Sequence, residues 1–160
     1  MMQEELDRYF LQKTIDLAVK NIHDGKGGPF AALIVKNNQI VAEGTNLVTS
    51  ANDPTAHAEI TAIRRACEQL GHFQLEGCTI YSSCEPCPMC LGAIYWARPK
   101  RLVFAANKKQ AAAVDFDDDF IYQEIVLDYD KRHLDTQHIE VAEANRPFEQ
   151  WQALSDKIEY

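Results

Sequence analysis

The middle of this sequence holds three cysteines, a histidine and a glutamate in two short segments. Cys84, Cys87 and Cys90 recur every third residue in SSCEPCPMCLGA, and His57 and Glu59 lie upstream in HAE. Thiolate and imidazole groups are common zinc ligands in proteins. The two segments together therefore predict a metal centre built from distant parts of the chain.

The spacing of the cysteines favours a metal site at the start of a helix. Cys87 and Cys90 fall in the first turn of the predicted helix CPMCLGAIYWA, so both sulfur atoms can face one point, and the exposed amides of that turn favour thiolates. His57, at the start of another helix, supplies a third ligand. Three protein ligands leave one tetrahedral position for water, as in catalytic zinc sites, and zinc lowers the pKa of such water from about 15.7 towards about 7. We expect one zinc ion per subunit.

Glu59 distinguishes a catalytic centre from a structural one. It lies two residues after His57, close enough to relay protons without completing the coordination. The alternative is a closed structural zinc that also takes Cys84 as a ligand, in a binding module without catalysis. That site leaves Glu59 without a role and requires Cys84, at the end of a strand, to fold back across Pro86.

Composition indicates a soluble protein whose substrate is small. The chain has 160 residues, which is typical of one domain, and its net charge of -8 disfavours a nucleic-acid partner. Five cysteines, an odd number, favour metal binding or catalysis over disulfides. We find neither a targeting peptide nor an apolar run that could span a membrane, and therefore expect a cytoplasmic protein without a membrane partner.

The pattern of apolar residues predicts an α/β fold in which one domain occupies residues 1–160. A strand, a helix and a strand around the cysteines predict a parallel, right-handed crossover. We expect a three-layer α-β-α sandwich with a central mixed sheet of about five strands. The predicted elements are a helix from Glu4 to His23, a hairpin turning at Asn37 and Asn38, a helix from His57 capped by Gly71, strands at GCTIYSS, RLVFAA and QHIEVAEA (137–144), a helix within 117–129, and a terminal helix from Pro147.

Four segments resemble those of the cytidine deaminase-like superfamily, and more closely those of the small bacterial guanine deaminases. They are GGPFAALIV, NDPTAHAEITAIR, YSSCEPCPMCLGAIYWARPK and FDDDFIYQEI. The first three are partly shared with tRNA adenosine deaminases and cytosine deaminases, which remain alternatives; YWARPK, FDD-FIY and the terminal EY favour guanine. The resemblance implies zinc-dependent hydrolysis of guanine to xanthine and ammonia, a reaction of purine metabolism.

The resemblance also implies a set of substrate-binding residues. Asn46 is expected to hydrogen-bond the base and Ala58 to contact it through its backbone, while Phe30 and Trp96 form walls of the pocket. Asp118 is expected to accept the N–H donors of guanine and to assist proton transfer as a second catalytic acid. A shift of one residue would give this role to Asp117, and the acidic run can also be read as the start of a helix.

The resemblance finally implies a homodimer with exchanged C-terminal segments. Residues 147–160 would form a swapped lid in which Tyr160 closes the active site of the partner. The alternative is an ordinary frayed terminus.

Overall fold

A computed structural model of the protein describes residues 2–160, which form two compact units divided after residue 119. The elements of the first unit are α1 (Gln3–His23), β1 (Ala31–Lys36), β2 (Gln39–Thr45), α2 (Val48–Ala51), α3 (Ala58–Leu70), β3 (Thr79–Cys84), α4 (Pro88–Ala97), β4 (Arg101–Ala106) and α5 (Lys108–Ala112). Helix α6 (Asp119–Ile125) crosses the boundary, and a 3-10 turn (Tyr129–Lys131) and α7 (Arg146–Ala153) follow.

The sheet of the first unit is mixed and has the strand order β2-β1-β3-β4. Strand β1 is antiparallel to both neighbours, while β3 and β4 are parallel and joined through α4. The predicted parallel pairing of the two strands around the cysteines is therefore confirmed. Parallel strands joined by a helix place the end of β3 and the start of α4 at one edge of the sheet.

The hairpin between β1 and β2 forms where the sequence predicts it. Asn37 and Asn38 both have positive φ, at 51° and 61°. A two-residue turn with this conformation matches the twist of its strands, and asparagine tolerates the conformation better than most residues.

Side chains of β1 alternate between two apolar layers, which confirms helices on both faces of the sheet. Leu33 and Val35 pack with Phe10 of α1 and with Tyr81. The intervening side chains pack on the opposite face against α3 and α4, in a core that contains Ala32, Ile34, Ala58, Ala62, Ala66, Ile80 and Ile94. The α-β-α layering thus follows from alternation along a strand that is buried on both faces.

The sheet has four strands where about five were predicted, because residues 137–144 form no strand. Their alternating apolar pattern has no paired strand, and the amide of Ala144 instead donates to the carbonyl of Val141 in a turn. Alternation defines the two faces of an extended segment but does not supply its hydrogen-bond partner.

Helix α6 lies within the range predicted for it, while the terminal helix is shorter than predicted. Helix α7 ends at Ala153, and Leu154 adopts an extended conformation ahead of Ser155 and Asp156, which are weak helix formers. The ammonium group of Lys157 donates to two carbonyl groups of this end, so the helix is capped there. Within the described residues, no helix combines the length and apolar character needed to cross a membrane.

Candidate active site

Two helix starts create the site, and each is built by its own sequence. His57 is the N-cap of α3 and Cys87 is the N-cap of α4. The sulfur of Cys87 accepts a hydrogen bond from the amide of Cys90 at 3.4 Å, and Pro88 occupies the first helical position, where its lack of an N–H costs nothing. Both caps direct a ligand atom to the N-terminal end of a helix, where the helix dipole favours negative charge.

His57, Cys87 and Cys90 form one compact group of metal-ligand atoms. Nδ1 of His57 lies 3.5 Å from each cysteine sulfur, and the three ligand atoms all lie within 4.8 Å of one another. Two sulfur atoms and one imidazole nitrogen are a donor set that suits zinc, with room for a fourth, non-protein ligand. The residues present therefore fit the metal that the sequence predicts.

The ionisation of the cysteines distinguishes Cys87 from Cys84. Hydrogen bonding to the Cys90 thiol and to His57 lowers the pKa of Cys87 to about 4, and the same coupling raises the pKa of Cys90. The Cys87 contact raises the pKa of His57, so a thiolate lies beside a more basic imidazole. Burial raises the pKa of Cys84 to about 11, and its sulfur contacts the carbonyl of Asn107 at 3.9 Å.

Glu59 lies in the first turn of α3 and is almost fully buried, at 7% exposure. Its Oε1 accepts a hydrogen bond of 3.1 Å from the hydroxyl of Ser82 in β3. Burial raises the pKa of Glu59, which brings the carboxyl group closer to the neutral range in which acid–base groups work best.

Gly44 allows α3 to approach the sheet closely. A Cβ atom at this position would lie 2.3 Å from the carbonyl oxygen of Ala58 and 2.4 Å from the amide nitrogen of Ala62. Any larger residue would push the start of α3 away from β2, so Gly44 helps to set the position of His57 and Glu59.

Asn46 has one polar atom free. The side chain of Asn46 is buried, and its Oδ1 accepts hydrogen bonds from the amides of Gly28 and Val48 at 3.3 and 3.2 Å. Its Nδ2 makes no hydrogen bond within the described residues and can donate to a ligand. Of the other residues expected around the base, Ala58 is fully buried, and the Phe30 ring packs edge-on against Phe116 with centroids 4.9 Å apart.

Asp117 and Asp118 differ in their surroundings. One carboxylate oxygen of Asp117 accepts a hydrogen bond from the amide of Asp119 at 3.0 Å, in a local turn just before α6. Asp118 is half-buried, and burial together with the negative charge of Cys87 raises its pKa. Asp118 is therefore close enough to the cysteine site to sense its charge.

The other two expected substrate contacts, Trp96 and Tyr160, are exposed. Trp96 is in the last turn of α4, about 9 Å along the helix axis from Cys90 at 1.5 Å per residue, and is 62% exposed. Tyr160 is the last residue of the second unit and is 71% exposed. Their roles as pocket wall and lid stay predictions.

Sequence reasoning missed Ser82, although a signal for it exists. Ser82 lies two residues before Cys84 in β3, so alternation along the strand places both side chains on one face. Helix α3, which carries the buried Glu59, packs against this face of the sheet. The hydroxyl of a serine on this face can therefore donate a hydrogen bond to the Glu59 carboxylate.

Residues 4–106 match the family described as the cytidine and deoxycytidylate deaminase zinc-binding region. The chain belongs to this deaminase family. It is 52% identical to the guanine deaminase of Bacillus subtilis over 94% of this chain and 97% of that protein. A solved structure of the Bacillus subtilis guanine deaminase superposes with a TM-score of 0.94 at 50% identity, covering 100% of this chain and 99% of that one.

Other members of the deaminase family are similar over a smaller part of the chain. The tRNA-specific adenosine deaminase of Aquifex aeolicus is 39% identical over 66% of this chain and 70% of its own length. The zinc-binding part of the fold is thus shared, while similarity over nearly the whole chain is seen with the guanine deaminase.

Proposed function

We propose that this protein is a zinc-dependent guanine deaminase, which hydrolyses guanine to xanthine and ammonia in the cytoplasm. The observation that carries the proposal is the extent of similarity to the Bacillus subtilis guanine deaminase, which covers 94% of this chain. That match extends past residue 106, where the zinc-binding region ends, and so reaches the segment that contains Asp118.

His57, Cys87 and Cys90 hold the zinc ion in this proposal. When bound, zinc supplies an activated water nucleophile at its open position. Glu59 would take one proton from the attacking water and pass it to the ring nitrogen beside C2. It would then carry the remaining proton of the new C2 hydroxyl to the departing amine, so that the C–N bond breaks as the C2 carbonyl forms. Guanine and water thus give xanthine and ammonia, with each proton accounted for. The burial of Glu59 and its hydrogen bond from Ser82 support this role, because both restrict the position of its carboxylate.

Asn46 and Asp118 select the base. The free Nδ2 of Asn46 can donate to an acceptor on the purine. The Asp118 carboxylate can accept from the adjacent N–H donors of guanine, whereas cytosine presents a ring acceptor beside its amine. Asp118 is favoured over Asp117, because the Asp117 carboxylate is already used in a local hydrogen bond to the amide of Asp119. Ala58 and Phe30 line the base site in this proposal, as the resemblance implies.

The assembly we propose is a homodimer with a swapped terminal segment. Several large apolar side chains of the second unit are exposed in the single chain, as expected for surfaces that a partner covers; they include Val126, Leu134, Ile139, Phe148, Ile158 and Tyr160. Residues 147–160 then form the lid, and Tyr160 and Trp96 contribute to closing the site.

Mixing inactive chains tests the swap. A chain lacking Tyr160 keeps Glu59 but has no aromatic residue in its lid. A Glu59→Gln chain keeps Tyr160 but has no Glu59 carboxylate. If lids are exchanged, refolding the two together restores activity in mixed dimers, because one site receives both groups. Activity that stays at the level of the separate variants contradicts the swap.

An ammonia-release screen tests the substrate. The purified, zinc-loaded protein is assayed with guanine, adenine, cytosine, guanosine and tRNA. We expect guanine to react fastest. If cytosine or tRNA reacts and guanine does not, the proposed substrate is wrong and the deaminase chemistry stands. If the protein binds zinc fully but releases ammonia from none of these compounds, a structural zinc module is favoured.

A further inference from the structure

The buried side chain of Asn21 binds the backbone at two positions, Gly28 and Asn46, the second of which is a proposed base-binding residue. Asn21 lies near the end of α1 and is only 2% exposed. Its Nδ2 donates to the carbonyl oxygen of Gly28 and to the carbonyl oxygen of Asn46, each at 2.9 Å. Both hydrogens of this amide group are therefore used on two segments that are distant in sequence.

The other half of the Asn21 amide has no partner. Its Oδ1 is the one buried side-chain nitrogen or oxygen without a hydrogen bond among residues 2–160. Burial of an unpaired amide oxygen is costly. The two hydrogen bonds that Nδ2 donates must offset the free-energy cost of the unpaired oxygen. The role of Asn21 therefore lies in the two carbonyl groups that these bonds hold in place.

What they hold is Asn46, whose other polar groups are also committed. The amide of Asn46 donates to the carbonyl of Phe30 at 3.1 Å, and its Oδ1 accepts from Gly28 and Val48. Gly27 packs so closely that a Cβ there would lie 2.2 Å from the Asn46 carbonyl oxygen. The backbone and the Oδ1 side of Asn46 are thus fixed, which leaves Nδ2 presented in one direction.

We propose that Asn21 is a positioning residue for nucleobase binding, and that it acts through Asn46. The inference rests on the proposed function, in which Asn46 Nδ2 donates to the base. Asn21 does not touch the substrate. It keeps Gly28 and Asn46 at the spacing that aims the Asn46 donor.

The test is a double-mutant cycle with nearly isosteric variants. Asn21→Asp keeps the shape of the side chain but replaces both donors with an oxygen that repels the two carbonyl groups. Asn46→Asp keeps an oxygen for Gly28 and Val48 but removes the free Nδ2 donor. We expect Asn21→Asp to raise KM for guanine about tenfold or more, since small misplacements of a substrate-positioning group are costly, while kcat changes less. In the Asn46→Asp background, the same change should raise KM less than about threefold.

Thr14→Val is the matched control. Thr14 is a fully buried residue on the same helix, and its hydroxyl bonds only the carbonyl of Leu11 at 2.7 Å. The Thr14→Val variant should have a lower Tm than the wild type and a KM for guanine within about twofold of it. If Asn21→Asp does not fold, Asn21→Ser, which can retain one donor, replaces it in the cycle and should give a smaller increase in KM.

The outcomes separate this inference from the proposed function. The cycle is run with whichever base releases ammonia, so a different substrate changes the function but still tests Asn21. Multiplicative KM effects of the two variants, or an unchanged KM in the Asn21 variant, overturn the inference even when guanine is the substrate. A protein that deaminates no base overturns both.

Discussion

The hydroxyl of Ser82 donates a hydrogen bond to Glu59 Oε1 at 3.1 Å and thereby joins β3 to the first turn of α3. Both side chains are buried, so water does not compete for this bond. We predict that Ser82→Ala lowers kcat for guanine about tenfold, because Glu59 loses the contact that orients it. Steady-state kinetics with a zinc determination on the same sample would measure this, and zinc content should not change.

Ser83 provides the matched control. It is the next residue in the same strand and is also buried, but its hydroxyl accepts from the amide of Ala31 at 3.1 Å. Ser83→Ala should lower Tm while leaving kcat within about twofold of the wild type. Equal losses of kcat in the two variants would mean that the Ser82–Glu59 bond has no specific role.

The three neighbouring cysteines should respond differently to substitution. Cys87→Ala and Cys90→Ala should lose zinc, because each removes one of the three ligand atoms that residues 2–160 bring together. Cys84→Ala should keep one zinc per chain, because Cys84 contacts the carbonyl of Asn107 instead. Metal analysis after gel filtration decides the matter, and zinc lost from the Cys84 variant would support a closed structural site.

The acidic residues before α6 give a second matched pair. Asp118→Asn should lower kcat/KM for guanine about a hundredfold, because a group that pairs with substrate donors is replaced by one that can repel them. Asp117→Asn keeps an oxygen to accept from the amide of Asp119, and should have little effect. The reverse ranking, measured at equal zinc content, would assign the role to Asp117.

Asp7 should make stability depend on pH. Its carboxylate accepts from Arg101 at 2.8 and 3.2 Å and from the Tyr81 hydroxyl at 2.6 Å, which joins α1 to β3 and β4. The Arg101 contact lowers the pKa of Asp7 from 3.8 to about 2. A lowered folded-state pKa contributes stability that is present above about pH 4 and is lost as the pH falls towards about 2.

The measurement compares wild type with Asp7→Asn. At neutral pH the variant should be less stable by about 1–2 kcal/mol, since Arg101 is partly exposed and solvent weakens the pair. Urea unfolding at several pH values should show this difference narrowing below about pH 4. A difference that stays constant down to about pH 3 would show that the Asp7 charge does not stabilise the fold.

Local signals explain what could be predicted from the sequence. Asn37 and Asn38 specify the hairpin, Gly71 ends α3, and Cys87 with Pro88 starts α4, each through the conformation of one or two residues. Strand β3 lies between α3 and α4 in the chain, and both helices pack on the same face of the sheet, so the grouping of His57 with the cysteines follows from local structure and topology.

Distant partners explain what could not be predicted. Asn21 contacts Asn46 across 25 positions, and no local pattern marks that contact. Ser82 contacts Glu59 across 23 positions, and alternation along β3 gives the face on which Ser82 lies but not its partner. The segment 137–144 shows the converse error, since an alternating pattern there predicts a strand that has no pairing strand. In each case the outcome depends on a partner that periodicity does not identify.

In the proposed reaction, Glu59 moves protons beside a zinc ion held by His57, Cys87 and Cys90 during deamination of guanine. The most direct test is the rate of ammonia release from guanine by zinc-loaded wild type and Glu59→Gln at equal zinc content. We predict that the wild type forms one xanthine for each ammonia, and that the variant is slower by about a thousandfold or more while it retains its zinc. A fully zinc-loaded Glu59→Gln variant that keeps most of the wild-type rate would show that Glu59 does not carry these protons.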